Sequence, residues 1–461
     1  MNKDLLFDSI LKEKASNENI VLPKDLDIKI KETLKNLPER KRKKNELFTK
    51  IATVAGITIV VLTCLSTAFP TYARNVPVVS SVFEFLSDRN IIDKDYITYS
   101  SNLNLSKTCN GVTVTINSIV YDGIDLSIGY TVESKDEMKS IPNMIDNEFR
   151  INGKIIGFGS GGTGKLINKN TYVGVESFNI ANDYLPKEIK KNILGGDIKI
   201  PDTFIIDLNI KEFSNNIKGN WNFKFKVSKD KIEGKVQNIN TSVDLSDLRS
   251  GLKVTEVIFT PINTVVRSIE DNNTDSNGFI RYFAFDNKGR ALAMKGGSED
   301  GSINKYYWQH TLRNIYEDTK TVTFIPAVYT KEYQEKVNKS NGSWQEDEKE
   351  VDLNINQDTI LPEGKLGEYE ITKIEFMQDK TLVHYQCNGI IGAINPYSLC
   401  ITDSEGNKYV FTKESVKDLD DNKFIAELEP LPENKQYKLS AADYEKIYDV
   451  REDLKFTIKV K

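Results

Sequence analysis

The glycine-rich run from Gly159 to Lys165 matches the first seven places of a phosphate-binding loop. In that pattern the backbone amides cradle phosphates and the lysine neutralises their charge. The eighth place requires a magnesium-binding Ser or Thr, but Leu166 stands there, and the flanking residues alternate as strands do. We therefore predict no nucleotide site here and interpret the run as a flexible hairpin tip.

Other residue types that support chemistry are sparse. The two histidines, His310 and His384, have no Cys or carboxylate at metal-ligand spacing, so no zinc site is predicted. The acidic stretches 346–348 and 418–421 lack the glycine and the terminal glutamate of a calcium loop, and we expect solvated loops there. Without a Ser/His/Asp grouping or a paired carboxylate motif, we expect neither catalysis nor a cofactor.

Composition indicates a folded chain and limits its partners. Of 461 residues, 39% are apolar and 28% are charged, with 21 Phe and 20 Tyr, which is typical of globular proteins. Residues 1–50 carry 13 basic and 9 acidic residues, whereas the rest carries 49 basic and 58 acidic residues. This acidic excess argues against nucleic acid as a partner of the large region. Four cysteines exclude a disulfide scaffold; Cys387 and Cys400 either pair or are buried free thiols.

Residues 51–70 contain no charged side chain and predict a membrane-spanning helix, since twenty helical residues extend about 30 Å. A basic juxtamembrane segment, residues 38–50, precedes it and places the N-terminus in the cytoplasm. Its clustered cations are Arg40, Lys41, Arg42, Lys43 and Lys44. Residues 71–461 are then extracellular. A signal peptide cleaved near Ala73 is the alternative, but the long preceding tail disfavours it.

The cytoplasmic tail, residues 1–37, predicts short amphipathic helices. Leu26, Ile30, Leu34 and Leu37 recur at helical spacing on one face. Helices this short are marginal in water without a partner surface. Two interpretations remain open: the stripe docks on a cytoplasmic protein, or the tail lies on anionic lipid.

Beyond the membrane, alternating apolar residues and Gly, Asn and Asp turns predict a mainly β fold. One pattern of apolar offsets, two then three then two, occurs three times and each time follows a glycine. The three sets are Val114, Ile116, Ile119, Tyr121; Leu252, Val254, Val257, Phe259; and Tyr369, Ile371, Ile374, Phe376. A three-residue step in a period-two strand predicts a β-bulge or a strand that changes sheets.

The repeat predicts three tandem immunoglobulin-like β-sandwiches over residues 101–232, 233–356 and 357–461. Hairpin turns are predicted at 152–154, 287–290 and 405–408, where glycine permits a positive φ. Two alternating strands are expected to close each of the first two units, with Val351, Leu353 and Ile355 ending the second. Leu454, Phe456, Ile458 and Val460 are expected to end the third. The linker, residues 71–100, predicts a short helix that packs on a sandwich or on lipid.

The run from Ala68 to Val78 and the following Val82-Phe83-Glu84-Phe85-Leu86 resemble a Gram-positive membrane family, the domain of unknown function DUF4179. Tyr121-Asp122-Gly123 also fits this resemblance, and the later units look like β domains that accompany it. The resemblance implies an anti-sigma-type membrane regulator whose tail sequesters a cytoplasmic sigma factor.

The leading hypothesis is therefore a single-pass regulator in the cell membrane that couples an extracellular β sensor to a sigma factor through the tail. Cleavage near Ala73 is a possible transmission step. The alternative is a surface-anchored binding or adhesion module that contacts an envelope ligand or protein and has no signalling tail. An extracellular enzyme is disfavoured.

Overall fold

Antiparallel β-strands dominate the part of the chain that the structure describes. The computed structural model describes residues 81–461 except 157–158, 182–184, 187–199, 215, 273–278, 302–303, 341–345, 413–414 and 420. The predicted tail (1–37), basic segment (38–50), spanning helix (51–70) and cleavage region at Ala73 lie outside these residues. None of the helices within the described ranges is long and apolar enough to cross a bilayer.

Six sheets form three pairs, and each pair encloses one hydrophobic cluster; we call these pairs the first, second and third modules. The first module contains two sheets, ordered β1-β2-β3-β7-β6 and β5-β4-β8-β9. Its strands are β1 Ser101–Cys109, β2 Val112–Tyr121, β3 Asp125–Ser134, β4 Met144–Ile151, β5 Lys154–Ile155, β6 Gly159–Asn168, β7 Thr171–Asn179, β8 Thr203–Phe213 and β9 Ile217–Ser228.

The second module repeats this plan, with one sheet ordered β10-β11-β12-β16-β15 and the other β14-β13-β17. Its strands are β10 Gln237–Asp244, β11 Lys253–Phe259, β12 Asn263–Asp271, β13 Ile280–Asp286, β14 Ala291–Leu292, β15 Met294–Gly301, β16 Lys305–Arg313 and β17 Thr321–Tyr329.

The third module has sheets ordered β19-β20-β21-β25-β24 and β18-β26-β22-β23. Its strands are β18 Glu348–Leu353, β19 Thr359–Pro362, β20 Gly367–Phe376, β21 Thr381–Gly389, β22 Cys400–Asp403, β23 Lys408–Val410, β24 Val416–Asp418, β25 Lys423–Leu428 and β26 Tyr437–Ala442. Two further strands follow, β27 Tyr448–Val450 and β28 Phe456–Lys459.

The second and third modules exchange their closing strands. In the first module β9 follows β8 along the chain and pairs with it. The strand that follows β17 is β18, but β18 pairs with β26 of the third module. Strands β27 and β28, which follow β26, return to pair with β17 of the second module. Each module thus obtains a closing strand from the other module's stretch of sequence.

This exchange differs from the sequence interpretation of which strands close which unit. Leu353 is buried in the third module's cluster, not the second's. Ile458 is buried in the second module's cluster, and Phe456 packs against it. A period-two pattern identifies the buried face of a strand but not the sheet that receives it. The predicted boundary at 356/357 therefore does not separate the folded modules. Strand β18 precedes it but belongs to the third module, and β27 and β28 follow it but pair with the second.

The three-residue step in the repeated pattern is a bulge in all three modules. The register shifts between Ile116 and Ser118 on β2, between Val254 and Glu256 on β11, and between Ile371 and Lys373 on β20. Each strand stays in its own sheet, and the apolar residues on both sides of the step belong to one hydrophobic cluster. The bulge therefore absorbs the extra residue and keeps the same face of the strand buried.

The hairpin turns lie where the sequence places them, between β4 and β5, β13 and β14, and β22 and β23. The second and third share one hydrogen-bonding scheme. Asp286 Oδ1 accepts from the amides of Lys288 and Arg290, both at 2.9 Å. Asp403 Oδ1 accepts from the amides two and four residues later at the same distance. The aspartate satisfies turn amides that no strand can reach.

Five short helices connect the sheets of the described chain: α1 Val82–Ser87, α2 Asp95–Tyr99, α3 Lys331–Lys339, α4 Ile391–Ile394 and α5 Tyr444–Ile447. Single 3-10 turns span Asp230–Ile232, Gly364–Leu366 and Glu452–Leu454. Ser81 caps α1 by accepting from the Glu84 amide. The apolar stripe of α1 packs on the first module's outer face, with Val82, Phe83 and Leu86 fully buried.

Candidate functional site

A cavity of about 780 Å³ lies where all three modules border one another; we call it the junction cavity. Ile91, Ile92 and Asp93, between α1 and α2, form one wall together with Tyr96 of α2. The first module contributes Asp125, Gly159–Thr163 and alternate residues of β7, and the second contributes Asn263, Ala293–Ser298 and the end of β16. The third module closes the cavity with residues 394–397 and Asp418.

Two strands present their edges to this cavity. Side chains alternate between the two faces of a strand, so a sheet face exposes every second residue. Strand β7 follows that rule, because only Val175, Ser177 and Asn179 line the cavity. Five consecutive residues line it from β6 and five from β15. Both are end strands of their sheets among the described strands, so backbone edges with no described strand partner border the cavity.

Equivalent turns of the first two modules meet beside the cavity. Asp122 begins the β2–β3 turn, and Thr260 begins the matching β11–β12 turn. Thr260 Oγ1 and Asn263 Nδ2 each donate to Asp122 Oδ2 at 2.8 Å. Asp122 Oδ1 accepts from the amides of Ile124 and Asp125. This buried carboxylate therefore joins two modules while holding its own turn.

Lys295 on β15 connects the second module to the α1–α2 connection. Its Nζ forms an ion pair with Asp93 Oδ2 at 2.6 Å and donates to the carbonyl of Ile262 and to Asn263 Oδ1. Burial alone would lower the pKa of Lys295, but Asp93, Tyr96 and Asp122 together raise it above its usual value. These neighbours therefore keep the Lys295 ammonium charged despite its burial.

Asp125 is the most perturbed acid at the cavity. Burial and the negative charge of Asp122 together raise the pKa of this carboxyl to about 8, against the opposing effects of Lys295 and Arg267. Its Oδ2 accepts from Asn263 Nδ2 at 3.3 Å. A carboxyl of this kind gains a proton near neutral pH unless another cation approaches it.

The third module's wall contains a second ion pair. Arg313 Nη1 donates to Asp418 Oδ2 at 3.0 Å and to the Tyr316 hydroxyl at 2.9 Å. Tyr397 lies on the same wall, and burial raises its pKa. The predicted solvated acidic loop at 418–421 thus supplies a residue to the cavity, because Asp418 ends β24 rather than lying in a free loop.

The glycine-rich run is not the hairpin tip that the sequence predicts. It lies within β6 and pairs with β7 in register from Gly159 opposite Asn179 to Leu166 opposite Tyr172. No helix follows it: the next described element is β7. A glycine run has the same composition in a tip and in an exposed edge strand, and only the pairing with β7 separates these cases.

The remaining candidate residues lie apart. His310 is buried and contacts the carbonyl of Ile280 through Nε2, and burial lowers its pKa to about 4. His384 Nε2 contacts Glu375 at 2.7 Å in the third module. Cys387 and Cys400 are both free, on strands of opposite sheets. Within the described ranges no group of three His, Cys, Asp or Glu side chains could hold a metal ion.

Sequence reasoning missed the polar residues of the module contact. A signal existed, because Asp122 and Thr260 each follow the last aromatic of the repeated pattern, Tyr121 and Phe259. The third module has the same turn at Met377, whose amide donates to the Lys380 carbonyl, but its side chain is 48% exposed and apolar. Only the first two modules can therefore join through this turn.

Comparisons with known families agree with the predicted resemblance. Residues 43–134 match the model of the domain of unknown function DUF4179. Residues 234–355 match a second model, the family of unknown function DUF5643. The first match covers the predicted spanning helix, α1, α2 and three strands of the first module; the second covers most of the second module and β18.

One similar solved structure is that of a conserved domain protein from Bacillus anthracis. It is 20% identical, has a TM-score of 0.43, and the match covers 55% of this chain and 86% of that chain. No curated protein matches the sequence.

Proposed function

We propose that this chain, whose residues 43–134 match the DUF4179 family, is a single-pass membrane regulator that senses an extracellular ligand in the junction cavity. Its cytoplasmic tail holds a sigma factor and releases it when the cavity changes state. The three modules are immunoglobulin-like sandwiches that build the cavity.

One observation carries this proposal: the connection that leads from the predicted spanning helix into the β region is itself a wall of the cavity. Ile91, Ile92, Asp93 and Tyr96 line the cavity. The preceding helix α1 is buried against Val120, Val173 and Val175 of the first module. A ligand that displaces the Asp93–Lys295 ion pair changes the contacts of the segment that continues toward the membrane.

The tail supplies the second half of the argument. Leu26, Ile30, Leu34 and Leu37 form an apolar stripe that requires a partner surface. In a regulator, that partner is a cytoplasmic protein and not lipid. The basic segment 38–50 then keeps the stripe on the cytoplasmic side.

The test is affinity capture of the tagged full chain from its native membrane, followed by mass spectrometry. Ile30→Asp/Leu34→Asp should abolish recovery of a sigma factor. Glu32→Asp/Asn36→Asp is the matched control, since it places two aspartates four residues apart on the opposite helical face. If no sigma factor is recovered with either protein, the tail is not a sigma-factor anchor and the proposal is wrong.

A second arm tests the coupling between cavity and tail. Gly161→Trp should fill the cavity, because no described atom lies within 4 Å of a Cβ built at Gly161. We expect it to change transcription from the sigma factor's promoter, measured with a reporter. Lys107→Trp, on the exposed far edge of the same sheet, should leave transcription unchanged. Equal transcriptional responses to both variants would show that the cavity is not coupled to signalling.

A further inference from the structure

We infer that the junction cavity binds an extended peptide with a basic side chain, and that the peptide adds as a strand to the open edge of β6. This inference names the ligand class for the site of the proposed function and rests on that proposal only in treating the cavity as a binding site.

The backbone of β6 is available for pairing. Among the described strands β6 pairs only with β7, so the outer row of its amides and carbonyls has no strand partner. Residues Gly159–Thr163 form five consecutive positions along this edge and extend about 16 Å, at roughly 3.3 Å per residue. An exposed edge is a template for another strand, and proteins use this mode to bind extended peptides.

The glycines keep the edge clear. A Cβ built at Gly159 or Gly161 would have no described atom within 4 Å. Gly296, on the edge of β15 that borders the same cavity, is equally open. Glycine inside a strand weakens it and commonly marks a place where another backbone approaches closely. Two glycine-rich edges at one cavity thus favour a backbone ligand over a compact one.

The charge of the ligand follows from one row of residues across the sheet. Gly159 lies directly opposite Asn179, and Asn179 lies directly opposite Asp125. All three line the cavity, so they share one face of the sheet. A strand added beyond β6 would place a residue in line with this row. Because Gly159 has no side chain, a long side chain from the peptide could cross it toward Asn179 and Asp125.

The acceptors at the end of this row, on Asn179 and Asp125, favour a cationic side chain. Asn179 Oδ1 is buried and has no hydrogen-bond partner among the described residues. Asp125 is an acid near Lys295, but that lysine already pairs with Asp93. Two acceptors in one row of the sheet match the donors of a lysine or arginine side chain. An acidic or apolar side chain would offer no donor to Asn179 Oδ1.

The probe is acetyl-Thr-Val-Lys-Val-Thr-amide added to the full purified chain, with hydrogen-deuterium exchange read by mass spectrometry. We expect slower exchange in the Gly159–Asn168 strand. A copy N-methylated at alternate amides keeps the side chains but loses the pairing donors, so it should bind about tenfold more weakly. A copy with Glu in place of Lys should also bind about tenfold more weakly.

Protein variants provide the matching controls. Gly161→Leu should abolish protection by covering the edge, whereas Lys154→Leu, on the exposed strand β5 of the opposite sheet, should not change it. Asp125→Asn should remove the preference for Lys over Glu while keeping backbone pairing. Full protection by the N-methylated peptide, or protection confined to other strands, would overturn the inference.

The outcomes also separate this inference from the proposed function. Peptide protection of β6 with no sigma factor captured would keep the peptide site and reject the regulator. A sigma factor captured, with transcription altered by Gly161→Trp but no peptide protection, would keep the regulator and reject the ligand class.

Discussion

Phe456 stacks on Phe324 with the ring centroids 5.2 Å apart, and the two residues are direct partners on β28 and β17. The contact joins the last strand of the described chain to a strand that precedes the entire third module. Residues between them build another pair of sheets. The second module therefore receives its last strand from residues that follow the third module in the sequence.

The exchange predicts that damage to a closing strand appears in the module that receives it. Ile458→Ala should destabilise the second module by about 2–4 kcal/mol, because it deletes buried methyl groups and leaves a cavity. Hydrogen exchange should accelerate in β13 and β17. Leu353→Ala is the reciprocal variant and should accelerate exchange in β22 and β26. The opposite assignment would show that each module closes with its own neighbouring strand.

The raised pKa of the Asp125 carboxyl predicts that the free energy of unfolding changes with pH. Its pKa is raised in the folded state, to about 8, by burial and by Asp122, while Lys295 and Arg267 oppose the rise. The folded state therefore binds the proton more tightly than the unfolded state does, so the free energy of unfolding falls as pH rises from about 4 to 8. Asp125→Asn should flatten this fall by more than about 1.4 kcal/mol, the equivalent of one pKa unit.

Denaturant melts at several pH values would measure this effect. Asp136→Asn, on an exposed residue, is the matched control and should leave the pH dependence as it is in the parent protein. A parental curve that rises between pH 4 and 8, or one unaltered by Asp125→Asn, would contradict the prediction.

The Asp93–Lys295 pair predicts coupling between two residues from separate parts of the chain. Lys295→Met should cost about 2 kcal/mol at neutral pH, because it leaves Asp93 half-buried without its cation. Adding Asp93→Asn should recover part of this loss, which a double-mutant cycle of unfolding free energies would measure. If the two losses simply add, the ion pair does not join the connection to β15.

The β13–β14 turn predicts a difference between two replacements of one residue. Asp286→Ala removes the acceptor of two turn amides and the partner of Arg290, and should cost about 2 kcal/mol. Asp286→Asn keeps an oxygen for the amides and loses the Oδ2 contacts with Arg290 and the Thr319 hydroxyl, so it should cost less. Thermal melts of both variants are the measurement. Equal losses would assign the whole effect to the Oδ2 contacts.

Sequence patterning predicted what depends on local spacing. The repeated offsets located β2, β11 and β20 and their bulges, because a period of two with one three-residue step has few structural solutions. The hairpin turns were equally predictable from glycines between alternating strands. These features depend on residues within about ten positions of each other.

Pairing over long sequence distances could not be predicted in this way. Val351 and Leu353 have the same alternation as Phe456 and Ile458, so either strand fits either module by pattern alone. The junction cavity is harder still, because it is assembled from the α1–α2 region and from separate segments of all three modules. Its polar residues, Asp125 among them, resemble ordinary turn residues. Their roles depend on which turns meet, and one sequence does not encode that as a local signal.

The strand exchange also determines how tension travels through the protein. The amide of Lys461 donates to Gln237 Oε1 at 2.8 Å, so the chain returns to the first strand of the second module. A pull applied at Lys461 would load β28 against β17 along their length, and the third module would carry little of it. The third module is inserted between β17 and β28, and the pairing of these two strands bypasses it.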